Sequence, residues 1–340
     1  MKKLMKSGVA LALASIMVFS LSPKTFAEES DVMQAEADSD CEASDWMGLL
    51  PDETYLSSVT IPGTHDSATA HIFPSFFLQC QSLEFKDQLE AGYRYLDIRL
   101  ALDETEDGTK LKFIHAFGTC KKDKSFLNLF GDTLYLEDVL SDVYDFLDEH
   151  PTETVIFCVK AENGDDDVSK VESEFFKALD KNPSKWYTKN KIPTLGETRG
   201  KIVLATRFDD VNGEGENRTG LHFSWSDQND KEAVADTQEV TMITNSNQLW
   251  VQDRYKYSVD MKREAVVESF ENCQASDENF SLNFVSTSGN GAAGHPKKYA
   301  RILNKQLMEY QFKPQTCYGV VIVDFGTEKE ARHIFSANLK

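Results

Sequence analysis

Two histidines and one arginine, each near a carboxylate or an apolar run, are the residues best suited to chemistry in this chain. His65 precedes Asp66, Arg99 follows Asp97 with one residue between them, and His115 closes a later apolar run. A histidine titrates near pH 6.5, so one can accept a proton from an attacking hydroxyl while the other donates one to a leaving oxygen. The planar guanidinium of an arginine fits a phosphate group. The combination indicates acid–base chemistry at a phosphoryl centre.

Each of these residues also has a purely structural interpretation. His65 could hydrogen-bond the backbone of its own turn, and His115 could be a satisfied core histidine. Asp97 and Arg99 share one face of a strand, because side chains alternate along it, and could form a structural ion pair. Their occurrence together, at the ends of successive strands, favours the chemical interpretation.

Eight short apolar runs must position these residues. They lie at 58–61, 95–100, 111–115, 154–159, 201–206, 249–252, 281–285 and 319–324. Amphipathic helices are predicted among them at 85–91, 136–147, 168–179, 261–273 and 297–310. This alternation predicts an α/β fold, a single (β/α)8 TIM-type barrel.

The barrel should be distorted or incomplete on one side. Only about ten residues separate the second and third runs, and the charged loop at 103–108 leaves no room for a crossover helix. A parallel connection normally needs about a dozen residues or more.

Nearer the N-terminus, Pro62 and Gly63 are predicted to form a tight turn that projects His65 over the end of the first strand.

Further polar residues follow the predicted strands. Because the active sites of such barrels lie at the carboxyl ends of the strands, we expect these side chains to meet there. They are Lys160, Arg207, Asp253, Tyr255 and Asp324.

Two motifs carry a resemblance to a known family. The stretch 61–67 (IPGTHDS), followed by 96–99 (LDIR), resembles the catalytic domain of bacterial phosphatidylinositol-specific phospholipases C. The resemblance continues through 158–162, 199–204, 251–256 and 323–324, in the same order. It implies a lyase without metal or cofactor that cleaves membrane phosphatidylinositol to diacylglycerol and inositol 1,2-cyclic phosphate. It leaves open whether glycosylphosphatidylinositol anchors are also substrates, and it implies a monomer that binds membrane surfaces transiently.

The resemblance also implies roles for the residues on the inositol side. His65 resembles the base that activates the inositol 2-hydroxyl, and Asp324 resembles the carboxylate that orients it. Arg99 corresponds to the phosphate ligand that replaces the calcium ion of the eukaryotic relatives. Four further residues match family positions that bind the inositol hydroxyls: Lys160, Arg207, Asp253 and Tyr255. Of these, Tyr255 corresponds to the residue that stacks beneath the inositol ring.

On the leaving-group side, His115 corresponds to the acid that protonates the diacylglycerol oxygen, supported by Asp66 or Asp97. The chain departs from the family here, because Ala116 stands where a glycine usually follows this histidine.

An apolar lip for membrane contact is predicted from three phenylalanines, Phe73, Phe76 and Phe77. The alternative is ordinary packing beneath a loop, since phenylalanine is usually buried. The late segment 289–295 lacks the tryptophan that some relatives insert into membrane.

The net charge restricts the binding partners of the protein, and the N-terminal segment predicts its cellular location. A formal net charge of −20 argues against nucleic-acid binding and against adhesion to anionic membranes by a general basic surface. Lysines at 2, 3 and 6, an apolar run at 9–21 and Ala27 form the pattern of a secretory signal peptide. We therefore predict a signal peptide at 1–27 cleaved near Ala27, a loose acidic leader at 28–45, a catalytic barrel at 46–340 and secretion.

Six cysteines are present, and no two form a C-x-x-C motif, so zinc-finger and thioredoxin chemistry are poorly supported. Cys158 and Cys317 are predicted to be buried thiols. Cys80 and Cys120 could form a disulfide, because the predicted address permits one.

Two other functions compete with the phospholipase. A glycerophosphodiesterase-type barrel would use a metal, which Arg99 disfavours. A catalytically inactive protein that binds lipid head groups would have lost a histidine, and both are present.

Overall fold

The computed structural model describes residues 41–125, 128, 130–208, 219–244, 246–291 and 294–339. The predicted signal peptide and most of the leader lie outside these residues, so their boundaries stay predictions. Within the described ranges, helices are too short or too polar to cross a bilayer.

Among the described residues, twelve strands form one sheet. They are β1 (Ile61–Thr64), β2 (Tyr95–Thr105), β3 (Gly108–His115), β4 (Gly118–Thr119), β5 (Thr154–Ala161), β6 (Trp186–Tyr187), β7 (Lys201–Thr206), β8 (Leu221–His222), β9 (Glu239–Met242), β10 (Gln248–Gln252), β11 (Asn279–Phe284) and β12 (Val320–Val323). The helices are α1 (Ser75–Leu78), α2 (Phe85–Glu90), α3 (Leu136–Glu149), α4 (Val168–Leu179), α5 (Leu195–Thr198), α6 (Val259–Glu271), α7 (Pro296–Glu309) and α8 (Glu328–Phe335).

The strand order confirms an incomplete α/β barrel. Along the path β6-β7-β5-β2-β1-β12-β11-β10-β9, every neighbouring pair is parallel except β10 with β9. Parallel strands bring their carboxyl ends to one edge, where the active sites of barrels lie. The antiparallel β9 ends the path, which leaves the barrel open on that side.

The third predicted strand is not a barrel strand, which corrects the count of eight. It is β3, which forms an antiparallel hairpin with β2, from Leu100 opposite Phe113 to Thr105 opposite Gly108. The short loop cannot make a parallel crossover, so the chain reverses. Six of the other seven predicted runs overlap parallel strands, whereas the first, 58–61, meets β1 only at Ile61. The hairpin is the expected irregularity, but it lies off the barrel path, whose ends are β6 and β9.

The predicted turn at Pro62 and Gly63 is also wrong, because both residues lie inside β1. Pairing of β1 with β2 begins only at Gly63, so no hydrogen bond between these two strands is lost because Pro62 lacks an N–H. A Cβ on Gly63 would lie 3.0 Å from Tyr95 Cβ and 3.2 Å from Ile322 Cγ1. Glycine therefore allows the strands to approach closely, and His65 follows the strand end directly.

Side-chain alternation separates the barrel interior from the layer under the helices. On β2, Tyr95 packs in the inner cluster with Ile322, whereas Leu96 and Ile98 pack in an outer cluster with helices such as α3. Asp97 and Arg99 have the same parity as Tyr95 and therefore point inward. This confirms the predicted shared face.

The predicted helices agree with α2, α3, α4, α6 and α7 to within about two residues at each end, the ordinary uncertainty of helix boundaries.

The cysteine prediction needs one correction. Cys80 and Cys120 are separate buried thiols rather than a disulfide, and all six cysteines are free. Cys158 is buried as predicted, whereas Cys317 is half-buried.

Candidate active site

A cavity of about 770 Å³ opens at the carboxyl ends of the parallel strands. Its lining includes nine residues predicted from the sequence, which are His65, Phe77, Arg99, His115, Lys160, Arg207, Asp253, Tyr255 and Asp324. Asp66 and Asp97 lie buried directly beneath it. The structure therefore brings the predicted catalytic and inositol-side residues to one place.

His65 is held by carboxylates on two sides. Its Nδ1 lies 2.8 Å from Asp324 Oδ1, and its Nε2 lies 3.3 Å from Asp66 Oδ2 and 3.2 Å from Arg99 Nη2. Burial lowers the pKa of His65, but the charges of Asp66 and Asp324 outweigh burial and raise the pKa to about 9. With Nδ1 donating to Asp324, the neutral ring presents Nε2 as a base.

Asp66 lies at the centre of the cluster, two residues after the end of β1, in a left-handed conformation with φ of 43°. Its Oδ2 lies 3.2 Å from His115 Nε2 as well as 3.3 Å from His65 Nε2. Burial would raise the pKa of Asp66, but Arg99 and the two histidines hold it well below its usual range. Asp66 is therefore a carboxylate shared by both histidines.

Arg99 is fixed by three carboxylates. Its Nε lies 2.6 Å from Asp66 Oδ1 in an ion pair and donates to Asp97 Oδ2 at 3.3 Å. Its Nη2 donates to Asp97 Oδ2 at 3.0 Å, and its Nη1 lies 3.3 Å from Glu162 Oε1. Burial opposes the charge, but these carboxylates outweigh it and raise the pKa of Arg99 well above its usual value. The guanidinium is a permanent cation whose position is fixed before a substrate arrives.

His115 ends β3 and reaches the cavity from the hairpin. Its Nδ1 donates to the carbonyl of Leu78 at 2.7 Å, which leaves Nε2 facing Asp66. Of the two carboxylates expected to support His115, the structure therefore selects Asp66. The next residue, Ala116, has φ of 50°, a conformation that favours glycine. A glycine at this position would adopt the same backbone conformation without strain.

The opposite wall of the cavity carries the predicted inositol-side residues. Lys160, at the end of β5, has Nζ 3.2 Å from Glu162 Oε2. Arg207 follows β7, and its Cζ lies 3.6 Å from the ring centroid of Trp225. Trp225 Nε1 donates to Asp253 Oδ2 at 3.1 Å. Trp225 thus joins a cation and a carboxylate on one ring.

Sequence reasoning missed Trp225, Asp227 and Cys80. Tyr255 donates its hydroxyl to Asp227 Oδ1 at 2.7 Å, which fixes the ring at the cavity wall. Trp225 and Asp227 follow the two-residue strand β8, where the sequence shows neither an apolar run nor a motif. Cys80 lines the cavity, with Sγ 3.8 Å from Asp66 Oδ2, and nothing in its local sequence predicts this contact.

The predicted lip is an exposed aromatic surface beside the cavity. The exposed fractions are 41% for Phe73, 63% for Phe76 and 43% for Phe77, so these rings are not core. The ring centroid of Phe76 lies 4.9 Å from that of Phe77 and 4.5 Å from that of His295. The geometry disfavours the packing alternative.

Similarity to known proteins agrees with this geometry. The family described as phosphatidylinositol-specific phospholipase C, X domain, matches residues 61–208. The 1-phosphatidylinositol phosphodiesterase of Listeria monocytogenes is 26% identical over 315 residues, which cover 86% of this chain and 84% of the relative. The protein of the same name from Staphylococcus aureus strain Newman is 28% identical over 302 residues, covering 82% of this chain and 87% of the relative.

Solved structures extend the similarity to the whole barrel. A phosphatidylinositol-specific phospholipase C structure from S. aureus superposes with a TM-score of 0.69 at 26% identity, covering 88% of this chain and 98% of that one. The Listeria phospholipase C structure gives a TM-score of 0.67 at 25% identity, covering 88% of this chain and 100% of that one. With the motifs at 61–67 and 96–99 placed around one cavity of the same barrel, residues 61–208 match the phosphatidylinositol-specific phospholipase C X-domain family, and the chain is similar in sequence and fold to bacterial phospholipases C of that specificity over most of its length.

Proposed function

We propose that the chain is a secreted phospholipase C that cleaves phosphatidylinositol to diacylglycerol and inositol 1,2-cyclic phosphate. One observation carries the proposal: His65 and His115 both direct Nε2 at Asp66 Oδ2, beside a guanidinium held by carboxylates. A base, an acid and a fixed cation are the groups that an in-line phosphoryl displacement needs. The similar proteins named 1-phosphatidylinositol phosphodiesterase support this substrate.

The first step begins at the inositol 2-hydroxyl, which is cis to the phosphate on carbon 1. His65 Nε2 takes the hydroxyl proton, while Asp324 stabilises the resulting imidazolium through Nδ1. The internal hydroxyl outcompetes water, because effective molarities reach about 10⁵–10⁸ M in well-oriented intramolecular reactions. The 2-oxygen bonds to phosphorus as the bond to the diacylglycerol oxygen breaks.

Arg99 neutralises charge that accumulates on the phosphoryl oxygens. The pair formed by His115 Nε2 and Asp66 Oδ2, 3.2 Å apart, supplies the proton for the diacylglycerol oxygen. Lys160, Arg207 and Asp253 hold the inositol hydroxyls, with the ring of Tyr255 beneath the sugar. Slow hydrolysis of the cyclic product reverses the roles of the two histidines.

Membrane access is proposed through the exposed lip of Phe73, Phe76 and Phe77, because a chain of net charge −20 gains little from anionic lipid. The S. aureus phospholipase C of the same fold has been studied for its membrane binding. Secretion is proposed from the basic and apolar pattern at 1–27.

Time-resolved phosphorus NMR of phosphatidylinositol vesicles with protein and excess chelator tests the proposal. We expect inositol 1,2-cyclic phosphate first and inositol 1-phosphate later. A 2-O-methyl inositol lipid should stay intact, because it lacks the nucleophile. Inositol 1-phosphate as the first product, or cleavage of the methylated lipid, would contradict this mechanism.

A further inference from the structure

Cys80 places a thiol in contact with the proposed acid pair. Its Sγ lies 3.8 Å from Asp66 Oδ2 and 4.0 Å from His115 Nδ1. Only 1% of the residue is exposed. The mechanism proposed above does not use this sulfur, and its position does not follow from the family motifs at 61–67 and 96–99.

The donor atoms of Asp66, Cys80 and His115 all lie within 4.8 Å of one another. A tetrahedral zinc ion with ordinary bond lengths needs sulfur, nitrogen and oxygen donors spaced about 3.3–3.6 Å apart. Two observed separations come within a few tenths of an ångström of this spacing. His115 Nε2 lies 3.2 Å from Asp66 Oδ2, and the Cys80 sulfur lies 3.8 Å from the same oxygen.

The surroundings prepare these donors for a metal. The Leu78 carbonyl accepts the Nδ1 proton of His115 at 2.7 Å, so Nε2 carries the lone pair, as a backbone carbonyl commonly arranges for metal-binding histidines. Arg99 binds Oδ1 of Asp66 and leaves Oδ2 to the other donors. With Glu162, the carboxylates of Asp66, Asp97 and Asp324 outnumber the three cations beside them, Arg99, Lys160 and the His65 imidazolium, so the cluster keeps an excess of negative charge that favours an added cation.

We infer that Asp66, Cys80 and His115 form an inhibitory site for a thiophilic divalent cation of the zinc type. Thiolate and imidazole ligands select zinc over magnesium and calcium, which prefer oxygen ligands. Cys80 binds as the thiolate, so its proton leaves to solvent, as does the Nε2 proton of His115 in its acid form, with no change in oxidation state. Cys80 and His115 line the cavity, so the fourth ligand of the metal would be a water that enters from this side. The metal occupies the lone pair of His115 Nε2, the atom that donates the proton in the proposed mechanism. Inhibition therefore rests on the proposed function, whereas metal binding does not.

Metal binding is tested first without an activity assay, using cobalt as an optical probe in chelator-treated protein. The wild type should show a thiolate-to-cobalt charge-transfer band that zinc displaces. Cys80→Ser and Cys80→Ala should lack the band, whereas Cys120→Ser, a change at another buried thiol, should keep it. A wild type without the band, or a folded Cys80 variant with it, would overturn the site.

Inhibition is tested next by titrating zinc against the hydrolysis of a soluble inositol phosphodiester. The zinc concentration for half-inhibition, relative to each variant's own zinc-free rate, should rise at least ~10-fold in Cys80→Ser and stay unchanged in Cys120→Ser. All proteins carry His150→Gln, because Glu90, Glu149 and His150 form another group of possible ligands in the described ranges.

The two measurements separate this inference from the proposed function. A protein that lacks phospholipase activity but shows the Cys80-dependent band would refute the proposed function and support the metal site. Cobalt binding through Cys80 without zinc inhibition of an active enzyme would overturn the assignment of His115 as a ligand. Unchanged zinc sensitivity in both Cys80 variants would overturn the thiol as a ligand.

Discussion

The Nδ1 atom of His65 lies 2.8 Å from Oδ1 of Asp324, a residue 259 positions away along the chain. The contact forms because β1 and β12 are parallel neighbours, paired up to Thr64 and Val323, so the residues that follow them meet. It leaves Nε2 of His65 for the substrate and stabilises the imidazolium that proton transfer would create.

The charge of Asp324 should set the acid side of the pH profile. With the pKa of His65 raised to about 9, the neutral base becomes more abundant as pH rises towards that value, so kcat/KM should rise with pH. In Asp324→Asn one raising charge is lost, the pKa of His65 falls, and the acid limb should move to lower pH. The pH dependence of soluble phosphodiester hydrolysis measures this. A limb that stays in place would mean that His65 does not set it.

Removing either histidine should be more damaging than removing its helper. His65→Ala and His115→Ala should each lower kcat by about 10²–10⁴-fold, the usual contribution of a positioned acid or base. Asp324→Asn should cost less, because it disturbs orientation rather than removing the base. His71→Ala, at a histidine that pairs with Glu84, serves as the control and should stay near the wild-type rate. Near-normal turnover in His115→Ala would require a different acid.

Arg99 should make activity independent of added metal. Excess EDTA should leave the rate unchanged or slightly higher, since it also removes inhibitory zinc. Arg99→Lys should lose much of kcat, because an ammonium cannot reproduce the planar fork held by Asp66 and Asp97. Arg263→Lys, on an exposed face of α6, is the matched control. Loss of activity in EDTA with recovery in calcium would contradict this prediction.

The aromatic lip should control vesicle binding rather than chemistry. The double change of Phe76 and Phe77 to serine should weaken partitioning onto phosphatidylinositol vesicles, because each inserted ring contributes on the order of 1.5–3 kcal/mol. Turnover of a soluble phosphodiester should be unaffected. Leu49→Ser, at a residue 59% exposed whose neighbour Gly48 lies near Thr152, just before β5, controls for general loss of apolar surface. Unchanged sedimentation with vesicles would show that the rings do not insert.

Ala116→Gly should stabilise the protein. At φ of 50° a Cβ is strained, and glycine relieves a cost of about 1 kcal/mol. Urea unfolding should therefore show a higher free energy of unfolding in the variant. A decrease would mean that the entropy gained by the unfolded chain outweighs the relief of strain.

The sequence alone determined the alternating strands and helices, the inward face of Asp97 and Arg99, and the set of strand-end residues. These are local properties, since hydrophobic periodicity and the alternation of side chains depend on neighbours in the chain. The motif at 61–67 likewise identified His65 and Asp66 without reference to any distant residue. The short loop at 103–108 also predicted that the barrel would be irregular there.

Only the tertiary structure decided which groups share a proton and what surrounds them. Asp66 rather than Asp97 supports His115, because the antiparallel hairpin brings His115 level with the end of β1. Trp225 and Cys80 join the site through contacts between segments far apart in the chain, which local composition does not encode. Pro62 and Gly63 favour a turn locally but lie in a strand, because pairing of β1 with β2 at Tyr95 and with β12 at Ile322 overrides their propensity.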